Sequence, residues 1–226
     1  MSYAQLLIEI PMFSCVPPAD LEGLAALLQR RDFEKGEVIF HEGDVGTALY
    51  IIRKGEVLIR LSHEDGKEVV LGLLTRGDVF GELALLDGDP RSADAVAREP
   101  TQVLMLSRED FLRFVNGKPQ MAMAMLAGLS RLVRHVTQLV HDTAFLDVRA
   151  RLARVLVELA DNQGQKGPDG VSLTSRLTQG ELANLVGVTR ESVNKWLRFY
   201  EKQGLLRNDK GRLVLTDPER LREDAG

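Results

Sequence analysis

The chain has one cysteine, Cys15, in 226 residues. A single thiol forms no intrachain disulfide and supplies neither a four-cysteine zinc site nor the thiolates of an iron–sulfur cluster, and it fits a reducing cytoplasm. No apolar run approaches the roughly 20 residues that span a bilayer. The N-terminus has no basic stretch followed by an apolar core, so the sequence predicts a soluble, unprocessed, cytoplasmic protein with no membrane partner. Also missing is an ordered set of nucleophile, base and oxyanion donors, or a constellation of metal ligands. A hydrolase using His41, Glu42, Asp44 and Glu82 is the reading from that class. The expectation is a protein that is not an enzyme and that carries no metal and no covalent cofactor.

Acidic residues outnumber basic ones, 33 to 29, for a formal charge of −4. The excess is uneven: residues 1–146 carry 21 acidic and 15 basic side chains, whereas residues 147–226 carry 12 and 14. Seven basic residues (Arg190, Lys195, Arg198, Lys202, Arg207, Lys210, Arg212) face only Glu191, Glu201 and Asp209 between 189 and 212. A local patch of one sign steers a protein to a polyanion more than its net charge does. The length suits two moderate domains, each with its own core.

Leu21, Leu24, Leu27 and Leu28 share one face of a short helix expected over 17–30. From Phe33 to Leu106, short alternating runs separated by glycines predict an antiparallel sheet folded on itself, with Asp65-Gly66 as a hairpin turn. The glycines serve turns and bulges, and only Gly81 is assigned to a site. A long helix is expected from Phe111 to about Thr143. Its 4-3 rhythm at Met125, Leu129, Leu132, Val136, Leu139, Thr143 and Leu146 is a heptad seam, with β-branched residues at one position and leucines at the other, as in a parallel two-stranded coiled coil. Val133 and Val140 partly fill a third position, as in a helix packed into its own domain. Asp147 N-caps a further helix to about Ala160, and residues 162–170 form a polar loop. The domain bounds are 1–110, 111–146 and 147–226.

The stretch FGELALLDGDPRSA, residues 80–93, carries the clearest chemistry. Glu82 and Arg91 flank a glycine-bearing turn. The carboxylate accepts from ribose hydroxyls, and the planar guanidinium donates two parallel bonds to phosphate oxygens. Gly81, Leu83 and Ala84 open a short helix whose N–H groups face the anion, and Ser92 and the N–H of Ala93 close the site. The ligand read from these residues is a small anionic nucleotide. The stretch resembles the phosphate-binding cassette of cyclic-nucleotide-binding domains, in its shorter version, with Arg91 ten positions after Gly81. That resemblance puts Glu82 on ribose and Arg91 on the cyclic phosphate.

A second signal lies in TQGELANLVGVTRESVNKWLRFYEKQ, residues 178–203. Thr178 and Glu181 form a capping box, Gly187 permits a tight turn, and Thr189 caps a second helix. Leu182, Leu185, Val186, Val193, Leu197 and Trp196 knit the pair. Arg190, Glu191, Ser192, Asn194 and Lys195 are left on the outer face of a helix-turn-helix. Leu205–Leu206 and Lys210–Leu215 add a hairpin wing. With AFLDV at 144–148 as a hinge, the order of motifs resembles the catabolite-activator (CRP/FNR) family of bacterial transcription regulators over nearly the whole chain. The resemblance implies an α+β architecture: an N-terminal antiparallel, jelly-roll-like β-roll for a cyclic nucleotide, a long dimerisation helix, and a C-terminal winged helix-turn-helix. It implies a homodimer with Met125, Leu129, Leu132, Val136, Leu139 and Thr143 in the interface, and cyclic AMP as allosteric effector. Arg190, Glu191 and Lys195 would read the major groove of a two-fold symmetric operator with TGTGA-like half-sites, while Thr178, Gln179 and Ser192 would contact phosphates. RNA polymerase is the further partner. Lys195 stands where the cyclic AMP receptor protein has arginine, and a lysine lacks the rigid fork. Its adjacent adenine-contacting hydroxyls, Thr-Ser, become Val136-Thr137, which leaves Thr137 as the purine contact. The alternatives are a regulator of the same fold without effector, or one gated by haem through His41, His63, His135 or His141.

Overall fold

Two compact units, Met1–His135 and Val136–Gly226, divide the chain inside its longest helix. The structure, a computed structural model, describes residues 2–14, 16–63, 65, 68–209 and 211–225. Cys15, Gly66 of the Asp65-Gly66 turn, and Lys210 of the basic patch and wing lie outside them. The division falls ten residues before the expected hinge, because Met121 and Met125 tie the first turns of that helix to the first core.

The first unit begins with α1 (Tyr3–Glu9), a 3-10 turn (Pro11–Phe13) and α2 (Pro18–Leu27). The helix expected to reach residue 30 stops at Leu27, because β1 (Gln29–Phe33) is claimed by pairing with residues 101–105. There follow β2 (Val38–Phe40), β3 (Ala48–Lys54), β4 (Val57–Ser62), β5 (Glu68–Leu74), β6 (Val79–Phe80), α3 (Leu83–Leu86), β7 (Asp94–Ala97) and β8 (Thr101–Ser107). They form two four-stranded antiparallel sheets, ordered β1-β8-β3-β6 and β2-β7-β4-β5. Side chains alternate across a strand, and β3 and β8 bury both faces. Leu49, Ile51, Leu104 and Leu106 pack with the helices, while Ile52 and Val103 meet Val57, Ala95 and Phe80 inside the roll. Each large apolar side chain so buried contributes about 1.5–3 kcal/mol. Ser62 pairs with Glu68, which fixes the β4–β5 hairpin where the sequence places it.

The single helix expected over 111–143 is two helices, α4 (Arg108–Val115) and α5 (Pro119–Phe145). Between them Gly117 takes a left-handed φ of +78°. Pro119 has no N–H to lose in a first turn. Ser107 caps α4 by accepting the Asp110 N–H at 3.1 Å. Met125, expected between two chains, is 8% exposed and packs in its own core with Phe111 and Leu106. Further along, Leu129 and Leu139 are half-buried, and Leu132, Val136 and Thr143 are exposed. Val133 and Val140 are each 64% exposed, so the open apolar stripe is centred closer to them than to Met125. No helix among the described residues is long and apolar enough to cross a membrane.

The second unit continues with α6 (Val148–Gln163), which Asp147 caps by accepting the Ala150 N–H at 2.8 Å. Residues 162–170, expected as a loop, instead contribute β9 (Gly164–Gly167), paired with β10 (Gly170–Leu173). No apolar pattern marks them; β10 is recruited by Val214 and Leu215 across the sheet. Next come α7 (Gln179–Val186), α8 (Arg190–Lys202), β11 (Leu206–Asp209), β12 (Arg212–Leu215) and α9 (Pro218–Asp224). The sheet order is β11-β12-β10-β9. Arg154 donates to Asp142 at 2.7 Å and to the Ala225 carbonyl at 2.8 Å, joining α5, α6 and the chain end within this unit.

Candidate functional site

The cassette is built where β6 ends. Gly81 has φ +77°, a conformation that costs other residues about 1–2 kcal/mol, and a Cβ there would lie 2.7 Å from Arg91 Nη1. Arg91 is 5% exposed. Its Nη1 donates to the Gly81 carbonyl and its Nη2 to the Ala48 carbonyl, both at 2.6 Å. Its Nε is buried without a hydrogen-bond partner. The guanidinium carbon lies 4.2 Å from the Phe40 ring centroid and 5.8 Å from that of Tyr50. Burial lowers the Arg91 pKa, with Tyr50, Asp44 and Glu82 opposing, and the group stays cationic.

Arg91 is also held by its backbone: its N–H donates to the Asp44 carbonyl at 2.8 Å, and its carbonyl accepts from Gly43 at 2.9 Å. Three residues on, buried Asp94 accepts the Glu42 N–H at 2.9 Å and the Ser62 hydroxyl at 3.2 Å. His41 Nδ1 is 3.4 Å from the same carboxylate. Sequence reasoning missed Phe40, Tyr50 and the Ala48 carbonyl, which reach Arg91 from other strands, and Asp94, which holds the Glu42 N–H. It also left Gly46 as a plain turn glycine. A Cβ at Gly46 would meet that of Ala84 at 2.3 Å, so Gly46 lets the 43–47 loop close onto α3.

Gly81, Glu82, Leu83, Ala84, Arg91, Ser92 and Ala93 thus come together within the first unit, Ala84 and Ala93 buried and Ser92 exposed. The helix they open is one turn, Leu83–Leu86. Glu82 and Arg91 make no ion pair among the described residues, so neither neutralises the other at contact. Thr137 is an exposed α5 residue of the second unit. The four histidines each have a neighbour of their own: Asp94 for His41, Asp65 for His63, the Leu71 carbonyl for His135 and Asp142 for His141.

Burial pushes the Glu82 carboxyl above its ordinary value, with its own backbone N–H and the Arg91 charge opposing. The folded value lies above the unfolded one, so this group favours the fold below the ordinary carboxylate range and ceases to as pH rises through the raised value. Glu82→Gln is therefore expected to raise the urea midpoint of the ligand-free protein at pH 7 and to change it little at pH 4. Equal shifts at both pH values would contradict this account.

In the second unit the capping box is complete: Glu181 donates its N–H to Thr178 Oγ1 at 3.2 Å, and its carboxylate accepts the Thr178 N–H at 2.7 Å. Gly187, at φ +70°, ends α7, and Thr189 caps α8 by accepting the Ser192 N–H at 3.3 Å. Val193, Leu197 and Tyr200 are buried, leaving Arg190, Glu191 and Lys195 exposed on the outer face. The Glu191 carboxyl is held below its usual range by its own backbone N–H, the Thr189 hydroxyl and Arg190. Lys195 Nζ lies 5.0 Å from the Trp196 ring. The Tyr200 hydroxyl, its pKa pushed up to about 12 chiefly by burial, donates to the Arg149 carbonyl at 3.1 Å and fixes α8 on α6. A cleft of about 260 Å³ between α7, α8 and the β11–β12 hairpin is lined by Gln179, Asn194, Arg198 and Asn208. Thr178 and Ser192 keep hydroxyls at the two helix starts, and donors at such starts suit phosphate oxygens.

Residues 30–118 match the family model for the cyclic nucleotide-binding domain, and residues 150–224 that for the Crp-like helix-turn-helix domain. The chain is 33% identical over 217 residues to the CRP-like cAMP-activated global transcriptional regulator of Mycobacterium tuberculosis, covering 96% of this chain and 97% of that one. It is 34% identical over 215 residues to the cyclic AMP receptor protein of Thermus thermophilus, covering 95% and 96%. Among solved structures, the c-di-GMP responsive global regulator CLP of Xanthomonas campestris superposes with a TM-score of 0.74 at 28% identity, covering 88% of this chain and 99% of that one. The chain belongs to the CRP/FNR family of bacterial transcription regulators, joining a cyclic nucleotide-binding domain to a DNA-binding helix-turn-helix.

Proposed function

We propose that this protein is a cytoplasmic homodimeric regulator whose binding to a two-fold symmetric operator is switched by cyclic AMP. The observation that carries the reading is Arg91, a buried cation whose Nε lacks a partner. An unsatisfied buried donor costs about 1–3 kcal/mol, and a phosphate oxygen removes that cost while Glu82 takes the ribose hydroxyls. The names of the Mycobacterium and Thermus relatives support cyclic AMP. A second reading, another cyclic nucleotide, is favoured by Val136: it brings no hydroxyl to the purine and leaves only Thr137. The protein acts by binding alone, and no turnover of cyclic AMP is expected. RNA polymerase is its partner on DNA.

The effector selects the state in which two copies of α8 stand about 34 Å apart, one turn of DNA. Anisotropy titrations at one salt concentration test this, because phosphate contacts make affinity salt-dependent. Cyclic AMP is expected to tighten binding to TGTGA-type half-sites, and operator DNA to tighten nucleotide binding by the same factor. Arg190→Ala is expected to cost about 1–3 kcal/mol and relax preference at one symmetric guanine, whereas Gln179→Ala weakens all sequences nearly equally. Tight operator binding indifferent to nucleotide would identify an effector-independent regulator. Loss of sequence selectivity under every condition would refute the operator reading.

A further inference from the structure

Phe40 lies outside the GELALLDGDPRSA stretch, yet its ring covers one face of the Arg91 guanidinium at 4.2 Å. The β2–β7 ladder slips between Val38 and Phe40, an irregularity of the kind that re-aims a side chain. The ring is braced by Tyr50 and Phe80, with centroids 5.8 and 5.9 Å away. A Cβ at Gly81 would approach both Arg91 Nη1, at 2.7 Å, and Phe40 Cε1, at 3.4 Å, so glycine, ring and guanidinium share one tight layer. Two carbonyls fix the terminal nitrogens of Arg91 in position, but they leave the group free to tilt about the line joining them. The aromatic face removes that freedom, since a cation over a ring is attracted to its centre.

We propose that Phe40 is a positioning residue of the phosphate site: its ring sets the plane of the Arg91 guanidinium so that the unpartnered Nε edge meets the bound phosphate. The inference rests on the cyclic-nucleotide reading above. Phe40 never touches the nucleotide in this account. It acts through Arg91, and its effect depends on having a π face rather than on its volume.

Calorimetric titration of the full-length protein with cyclic AMP and with cyclic GMP tests this. Phe40→Leu is expected to weaken binding about five- to thirty-fold, the range a desolvated cation–π contact supports, and Phe40→Trp to recover most of the loss. Phe40→Met, flexible and of similar volume, replaces the leucine variant should that one not fold, and is expected to show the same loss. In an Arg91→Gln background, Phe40→Leu is expected to change the unfolding free energy less than it does in the parent, because the partner is already gone. Parent-like affinity in Phe40→Leu, equal loss in Phe40→Trp, or additive unfolding energies would each overturn the inference while leaving the nucleotide reading intact. A parent protein that takes up neither nucleotide overturns that reading, and the inference with it.

Discussion

Arg91→Ala is expected to weaken cyclic AMP binding by about one and a half to three decades, equivalent to about 2–4 kcal/mol. Two losses combine. The phosphate gives up its charge-assisted donors, and the carbonyls of Gly81 and Ala48 lose the donors they have at 2.6 Å. Arg91→Lys keeps the charge but not the fork, so it is expected to recover part of the affinity. Calorimetry of parent and both variants decides the matter: parent-like affinity in Arg91→Ala would remove Arg91 from the site. The result also separates phosphate recognition from purine recognition, since nothing in the variant alters α5.

Val136→Lys combined with Val140→Lys is expected to raise the dissociation constant of the homodimer by at least about a hundredfold. It would set four like charges into an apolar helix seam, where an unpaired buried charge costs several kcal/mol. Both valines are exposed, at 44% and 64%, so neither change disturbs a core and the variant should keep the parent's circular dichroism. Met125→Lys would be a poor probe, because Met125 belongs to the first unit's own core. Sedimentation velocity across a concentration series provides the readout. An unaltered dimer would move the interface off α5.

Short-range chemistry was the part legible in the chain. Thr178, Asp147, Thr189 and Gly187 cap their helices as their residue types dictate, because a cap is decided within about four residues. Glu82 and Arg91 were legible for the same reason, lying on one continuous turn. What the chain concealed depends on partners far away in sequence. Gln29 and Arg30 continue an apparent helix until β8 claims them as a strand. Gly164–Gly167 carries no strand pattern and pairs only because β10 is already seated on β12. Phe40 and Tyr50 alternate like ordinary core residues, and only the closed roll brings them to a guanidinium. The break before α5 was written in Gly117 and Pro119 and masked by the apolar rhythm on either side.

The seat of Arg91 consists of two main-chain oxygens, and this limits what mutational scanning can see. Position 48 is already alanine, so an alanine scan leaves it unchanged. At Gly81 the same scan adds an atom where the guanidinium lies instead of deleting an interaction. Library selection cannot tune these acceptors residue by residue either, since every amino acid presents the same carbonyl. Variation in effector preference among descendants of this sequence would then accumulate in the side chains around the arginine, while its anchorage drifts only when a strand changes register.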